Sequence, residues 1–259
     1  MDTITSLQNP IVKLLRSLDR KKERQETGLF LAEGEKVLER AKALGWQPSY
    51  LVARAGADAA PWVDWAKSVG AKYLNVSETV MASLSPLGNP PDVIAAFPQR
   101  WVNLPIAPTD SEPWLALEHI RDPGNLGTII RTADAVNAQG LVLLGQSCDP
   151  YQRDCVRATM GSIFKLPLIK LATAEFSRFA KAWPGDVVGT QPAATSDFRR
   201  TYRPPALLLL GSEGAGLPPD LAKLCTVLVR IPMPGGTESL NIAAAAALML
   251  YEIRRDDLG

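Results

Sequence analysis

Hydrophobic positions along this chain switch period repeatedly. Ile11, Leu14, Leu15 and Leu18 share one helical face, so the spacing predicts a helix over 10–24. GLFLAEG (28–34) reads as a strand and turn, and EKVLERAKALG (35–45) as an amphipathic helix stopped by Gly45. A strand at 49–53, a helix at 61–70, a strand at 72–76, a short helix at 77–85 with Ser77 as cap, and a strand at 93–97 follow. Strands alternating with helices predict a small α/β domain. Residues 98–113 hold four prolines and no periodicity, which marks a linker and a domain boundary.

Beyond it the pattern sharpens. WLALEHI (114–120) is a buried strand, RDPGNLG (121–127) a turn, and TIIRTADAVNAQG (128–140) a helix ending at Gly140. LVLLG (141–145) is a strand, 151–162 a helix, and 163–169 holds a short strand broken by Pro167. A helix at 174–183, a strand at 186–190, the apolar run ALLLLG (206–211), a strand at 227–233 and a helix at 240–255 complete the chain. Near-continuous apolar strands suit a parallel sheet buried on both faces.

Composition narrows the classes. The chain has 259 residues, 46% hydrophobic and 21% charged, as an ordinary globular protein has. No apolar run reaches about 18 residues, so no membrane span is expected. The N-terminal stretch has no apolar core behind a basic start, so no signal peptide is expected either. Cys148, Cys155 and Cys225 form no CxxC pair, which fits a reducing, cytoplasmic setting. His119 is the only histidine. That argues against a zinc site and against a His–Ser or His–Cys mechanism, and no metal is expected. Net charge is +1, but Arg16, Arg20, Lys21, Lys22 and Arg24 cluster near the N-terminus, and Arg199, Arg200 and Arg203 form a second group. The first cluster, interleaved with Asp19 and Glu23, reads either as a solvated helix face or as a phosphate-binding patch.

Three polar, glycine-rich loops follow buried strands: RDPGNLGTIIR (121–131), GSEGAGLPPDL (211–221) and MPGGTESLN (233–241). In open α/β sheets ligands bind outside the carboxyl ends of strands, so the three can converge on one pocket. Each alone also reads as a structural turn. The glycines at 211, 214 and 216 have the wrong spacing for a dinucleotide fingerprint, and the lysine of a P-loop is missing. Asn125 and Arg131 flank the start of one predicted helix, and Glu213 lies between glycines. Ser239 is placed to cap the last helix, with Asn241 at its second residue.

These stretches resemble the three motifs of the SpoU/TrmH family of RNA ribose 2′-O-methyltransferases, in the SPOUT superfamily. NLGTIIRTADA (125–135) resembles motif 1, LLLLGSEGAGL (207–217) motif 2 and RIPMPGGTESLNIAAAAAL (230–248) motif 3. DPYQRDCVRATMGSIFKLP (149–167) is similar to the segment between motifs 1 and 2, and the N-terminal part resembles an accessory substrate-binding domain. Two departures stand out: the uninterrupted alanines at 243–245, and the proline-rich 85–92, longer than the family's turn.

The resemblance implies an α/β chain with a ribosomal-protein-like substrate-binding domain at 1–100, a linker at 101–113 and a SPOUT catalytic domain at 114–259 carrying a deep trefoil knot. It implies a homodimer and S-adenosyl-L-methionine as cofactor, held by backbone groups around Leu209, Gly211, Ile231, Met233, Ser239 and Leu240. Arg131, Asn125, Glu213, Ser239 and Asn241 would form the catalytic set. Arg131 would polarise the ribose hydroxyl, since an arginine stays protonated. Arg16, Arg20, Lys21, Lys22, Arg24, Arg153 and Arg157 would grip RNA, with Lys165 near them. Ribosomal RNA is the expected substrate. The alternatives are tRNA, a non-catalytic RNA-binding relative, and a nucleotide-binding or hydrolytic enzyme.

Overall fold

The computed structural model describes residues 2–104, 108, 111–212, 215–236 and 239–257. Its elements run α1 (Pro10–Ser17), α2 (Lys21–Thr27), β1 (Leu29–Glu33), α3 (Glu35–Ala43), β2 (Tyr50–Arg54), α4 (Ala60–Ser68), β3 (Lys72–Val76), α5 (Glu78–Leu84) and β4 (Val93–Pro98). Then come β5 (Trp114–Glu118), α6 (Pro123–Ala135), β6 (Gly140–Leu144), α7 (Arg153–Ala158), a 3₁₀ turn (Ser162–Phe164), β7 (Leu168–Leu171) and α8 (Thr173–Lys181). The chain ends with β8 (Val187–Thr190), β9 (Ser196–Asp197), β10 (Leu207–Leu210), α9 (Pro219–Ala222), β11 (Val227–Arg230) and α10 (Ile242–Ile253). Two compact units result: Met1–Gln99 with Asp149–Phe164, and Arg100–Cys148 with Lys165–Gly259.

In the first unit a four-stranded sheet has the order β1-β4-β2-β3. β4 pairs antiparallel with β1 and β2, while β2 and β3 are parallel. Alternation along the strands gives the sheet two apolar faces. One packs Leu31, Val52, Leu74 and Ile94 against Val12, Leu15, Val80 and Met81. The other carries an aromatic cluster, and segment 149–164 completes it. Tyr151 stacks on Phe30 at 4.8 Å, Phe164 meets Phe97 edge-on at 4.9 Å, and Trp46 Nε1 donates to the Phe164 carbonyl at 2.7 Å.

The helix expected over 10–24 is broken after Ser17 and restarts at Lys21. Arg24 accounts for the break. One of its terminal nitrogens donates to the carbonyls of Leu18 and Asp19, both at 2.8 Å, which an unbroken helix would have used itself. The rest of the guanidinium meets Asp149 at 2.8 Å, with only 4% and 9% of the two side chains exposed.

The second unit is a seven-stranded sheet of order β7-β6-β5-β10-β8-β11-β9, with every pair parallel. β5, β6 and β10 are buried along their whole length, as their apolar runs require. Trp114, Trp183, Phe176 and Leu207 are among the residues that fill one core cluster. α10 packs on α6 and β10. No helix among the described residues is long and apolar enough to cross a membrane.

Two helix starts differ from the sequence reading. α6 begins at Pro123, not at 128. Asp122 caps it, its carboxylate accepting from Asn125 N at 2.7 Å, and Pro123 supplies a first position that needs no N–H. DPGN is therefore the head of a helix, and Asn125 lies inside it. α10 begins at Ile242, and its cap is Asn241 rather than Ser239.

A single cation removed from the first unit tests this description. Breaking a buried ion pair costs about 3–5 kcal/mol, because the partner charge stays behind. Arg24→Ala is expected to destabilise the protein by that amount in denaturant unfolding, whereas Arg20→Ala, at an exposed position, stays within about 0.5 kcal/mol of wild type.

Candidate active site

Four segments leave the carboxyl ends of adjacent strands in the second unit. α6 follows β5, residues 190–192 follow β8, the glycine loop follows β10, and residues 231–241 follow β11. The last three enclose a cleft of about 360 Å³. Its walls are Thr190, Gln191 and Pro192; Leu210, Gly211, Ser212, Ala215 and Gly216; and Ile231, Met233, Ser239, Leu240, Ile242 and Ala245. Volume and largely apolar lining suit one small organic ligand.

The two ends of the glycine loop are held against each other. Ser212 and Gly216 exchange backbone hydrogen bonds at 3.1 and 3.0 Å. A Cβ on Gly211 would lie 2.0 Å from the Gly216 carbonyl oxygen, so only glycine lets the two strands of the loop close. Gly216 itself sits at φ 67. Glu213, between them in sequence, lies outside the described residues.

Asn125 and Asn241 meet across two loops. Asn241 Oδ1 accepts from Ala243 N at 2.9 Å and Ala244 N at 3.3 Å, closing the open end of α10. Its Nδ2 donates to Asn125 Oδ1 at 3.0 Å. The N-termini of α6 and α10, 116 residues apart in sequence, are thus tied by side chains. Two helix N-termini that converge favour an anion, such as an RNA phosphate.

Arg131 lies further along α6 on an exposed position, and no described residue bonds to its guanidinium. Six residues separate it from Asn125, about 9 Å of helix, so the two are not on one face. Ser239 is exposed and lines the cleft instead of capping α10. Gly211, Ile231, Met233 and Leu240 also line it, whereas the Leu209 side chain is fully buried in the core and its neighbour Leu210 takes the wall position.

The basic residues divide. Arg16, Arg20, Lys21 and Lys22 are exposed on the first unit. Arg24 is buried and saturated by Asp149, Leu18 and Asp19, so it is not available to RNA. Arg153, with 10% of its side chain exposed, is committed to Asp19 at 2.7 Å and to the Leu84 carbonyl. Arg157 is more open and pairs with Asp154 at 2.7 Å. Lys165 pairs with the buried Asp134 at 3.2 Å.

Sequence reasoning missed Thr190, Gln191 and Pro192 as a wall of the cleft, and Asp122 as the cap of α6. A polar GTQP turn directly after a buried strand was the available signal for the first. DP, a capping residue with proline at N1, was the signal for the second. Burial pushes the Cys225 thiol up to about 12, so it remains an inert thiol beside β8.

Comparison with known proteins agrees with this geometry. Residues 112–251 match the SpoU rRNA Methylase family, and residues 9–95 match the MRM3-like substrate binding domain. The chain belongs to the SpoU rRNA methylase family. It is 32% identical to the 23S rRNA (uridine(2479)-2′-O)-methyltransferase of Streptomyces viridochromogenes, over 92% of this chain and 86% of that one. It is 30% identical to the 23S rRNA (guanosine(2553)-2′-O)-methyltransferase RlmP of Bacillus subtilis, over 98% of this chain and all (100%) of that protein. An AdoMet-bound rRNA methyltransferase from Sinorhizobium meliloti superposes with a TM-score of 0.91 at 42% identity, covering 100% of this chain and 99% of that one.

The Asn125–Asn241 tie gives a prediction that separates stability from function. Asn241→Ser keeps a good cap but is too short to reach Asn125. It is expected to unfold within about 1 kcal/mol of wild type while methyl transfer falls at least about tenfold. Equal loss of stability and of rate would mean that the asparagine acts as a cap alone.

Proposed function

We propose that this enzyme transfers the methyl group of S-adenosyl-L-methionine to the 2′-hydroxyl of a ribose in ribosomal RNA. One observation carries the reading: the Asn125–Asn241 bond brings motif 1 and motif 3 together in the unit whose motif 2 glycine loop closes the cleft of about 360 Å³.

The cleft fits the cofactor. Ile231, Met233, Leu240 and Ile242 offer apolar walls for an adenine and a methionine chain, and the backbone of Gly211, Ser212, Ala215 and Gly216 supplies polar groups at close range. The cofactor supplies an activated methyl on a sulfonium, so the protein has to align the hydroxyl and ease the loss of its proton. Arg131, exposed and with no described partner, would stabilise the developing oxyanion or the adjacent phosphate. Asn125, fixed by Asn241, orients the ribose. Glu213 and Ser239 complete the set.

The exposed Arg16, Arg20, Lys21 and Lys22 of the first unit, with the half-exposed Arg157, supply a phosphate-binding surface. A deep trefoil knot in the second unit is supported by α10 returning onto α6 and β10 after the loop 231–241. A cytoplasmic setting is in keeping with three free cysteines.

The active form is a homodimer. Ala244, Leu248 and Tyr251 form an outward i, i+4, i+7 stripe on α10, with Leu248 43% and Tyr251 53% exposed. A stripe of large apolar side chains beside the site suits a second copy of this chain. Sedimentation should give a dimer at micromolar protein and a monomer for Tyr251→Asp, and a stable wild-type monomer would contradict the assignment.

Labelled S-adenosyl-L-methionine offered with unmodified 23S rRNA and, separately, tRNA transcripts tests the reaction. Label is expected in the rRNA at one site. Arg131→Ala should lower the rate by at least about 100-fold with cofactor affinity retained. Label in tRNA alone would overturn the substrate.

A further inference from the structure

β5 ends on Glu118–His119, a pair that the reaction above does not use. His119 Nδ1 lies 2.5 Å from Glu118 Oε1. With Nδ1 engaged by Glu118, Nε2 is the ring nitrogen left for a further hydrogen bond. The imidazole is 41% exposed, whereas the Glu118 side chain is 7% exposed and its second oxygen, Oε2, has no partner among the described residues.

The backbone is strained at the same point. His119 has φ 53, in the left-handed region that residues other than glycine adopt rarely. Gly145, after β6, makes room for the ring. A Cβ there would lie 2.7 Å from His119 Nδ1 and Cε1 and 3.0 Å from Glu118 Oε1. Glycine would take this conformation at lower cost. Here a bulky ring stands on a left-handed backbone, a glycine clears its space, and a buried carboxylate with a spare oxygen holds it.

The register fixes the location. Leu117 pairs with Leu210 on β10, so His119 stands level with Gly211–Ser212 of the glycine loop. It also precedes Asp122, the cap of α6, by three residues. His119 therefore stands at the carboxyl rim of the sheet, in the segment that leads from β5 into α6, with its ring against Gly145 after β6.

We propose that His119 is an RNA-positioning residue whose Nε2 makes a hydrogen bond to the substrate RNA, at a 2′-hydroxyl or base edge of a nucleotide beside the target ribose. Glu118 and Gly145 hold the ring in place for it. The proposal rests on RNA being the substrate of this site.

His119→Gly and His119→Asn both accept the left-handed backbone, so the turn survives in each. The full-length protein is titrated with a fluorescent 23S rRNA transcript and, in parallel, with S-adenosyl-L-methionine. His119→Gly should weaken RNA binding about 3- to 10-fold, the worth of one hydrogen bond, with cofactor affinity unchanged. His119→Asn, which keeps a hydrogen-bonding side chain, should recover part of the loss. In turnover, KM for RNA should rise while kcat stays within about twofold. Equal RNA affinity in wild type and both variants overturns the proposal, and so does a parallel loss of cofactor affinity. If the wild type transfers no methyl to any RNA yet His119→Gly still weakens RNA binding, the methylation reading falls and this one stands.

Discussion

A primary amide carries an acceptor and a donor, and Asn241 uses both ends at once. Its oxygen closes the first turn of α10, and its nitrogen holds Asn125 on α6. Each helix start is set by its own cap, Asp122 for α6 and Asn241 for α10, and the Asn241–Asn125 bond ties the two starts together. Asp122 fixes where α6 begins and so where Asn125 points. The run of alanines serves the same end. Ala243 and Ala246 are buried on the side of α10 that packs inward, and Ala133 is buried on α6, so the two backbones can approach closely. Larger residues there would push the asparagines apart.

In the first unit a second constraint operates, electrostatic rather than steric. Arg24, Arg153 and Arg157 come from the runs that sequence inspection marks as RNA-binding. The fold uses the first two as internal ties instead, each against a carboxylate and one or more carbonyls. Guanidinium suits this work because its planar donors can satisfy several acceptors together. The cations left for a phosphate backbone are the exposed Arg16, Arg20, Lys21 and Lys22 with the more open Arg157, and the pairs of Arg20 with Glu23 and Lys22 with Glu26 lie in solvent.

Much of the fold was legible because its pattern is unambiguous. LLLLG and WLALE can only be strands buried on both faces, and the alternation of strands and helices placed both sheets. The three loops were legible as a set, from glycines and polar residues after apolar strands. What the pattern could not carry was non-local. The break in the helix over 10–24 depends on Arg24 reaching Asp149, 125 residues away. The packing of 149–164 onto the first unit depends on Tyr151 and Phe164 filling an aromatic cluster that no single segment contains. The choice of Asn241 over Ser239 as a cap turned on a partner in another motif. The left-handed backbone at His119 had only a weak local signal, since histidine adopts it more often than most side chains but far less freely than glycine.

The central claim is that the acceptor is a ribose hydroxyl and not a base. A methyl group on the 2′-oxygen blocks the attack on the neighbouring phosphate by which alkali cleaves RNA. Labelled 23S rRNA from the wild-type reaction should therefore be hydrolysed completely in alkali and separated by charge. The account predicts that the label remains in an alkali-resistant dinucleotide. Label released in mononucleotides would place the methyl on a base and contradict it.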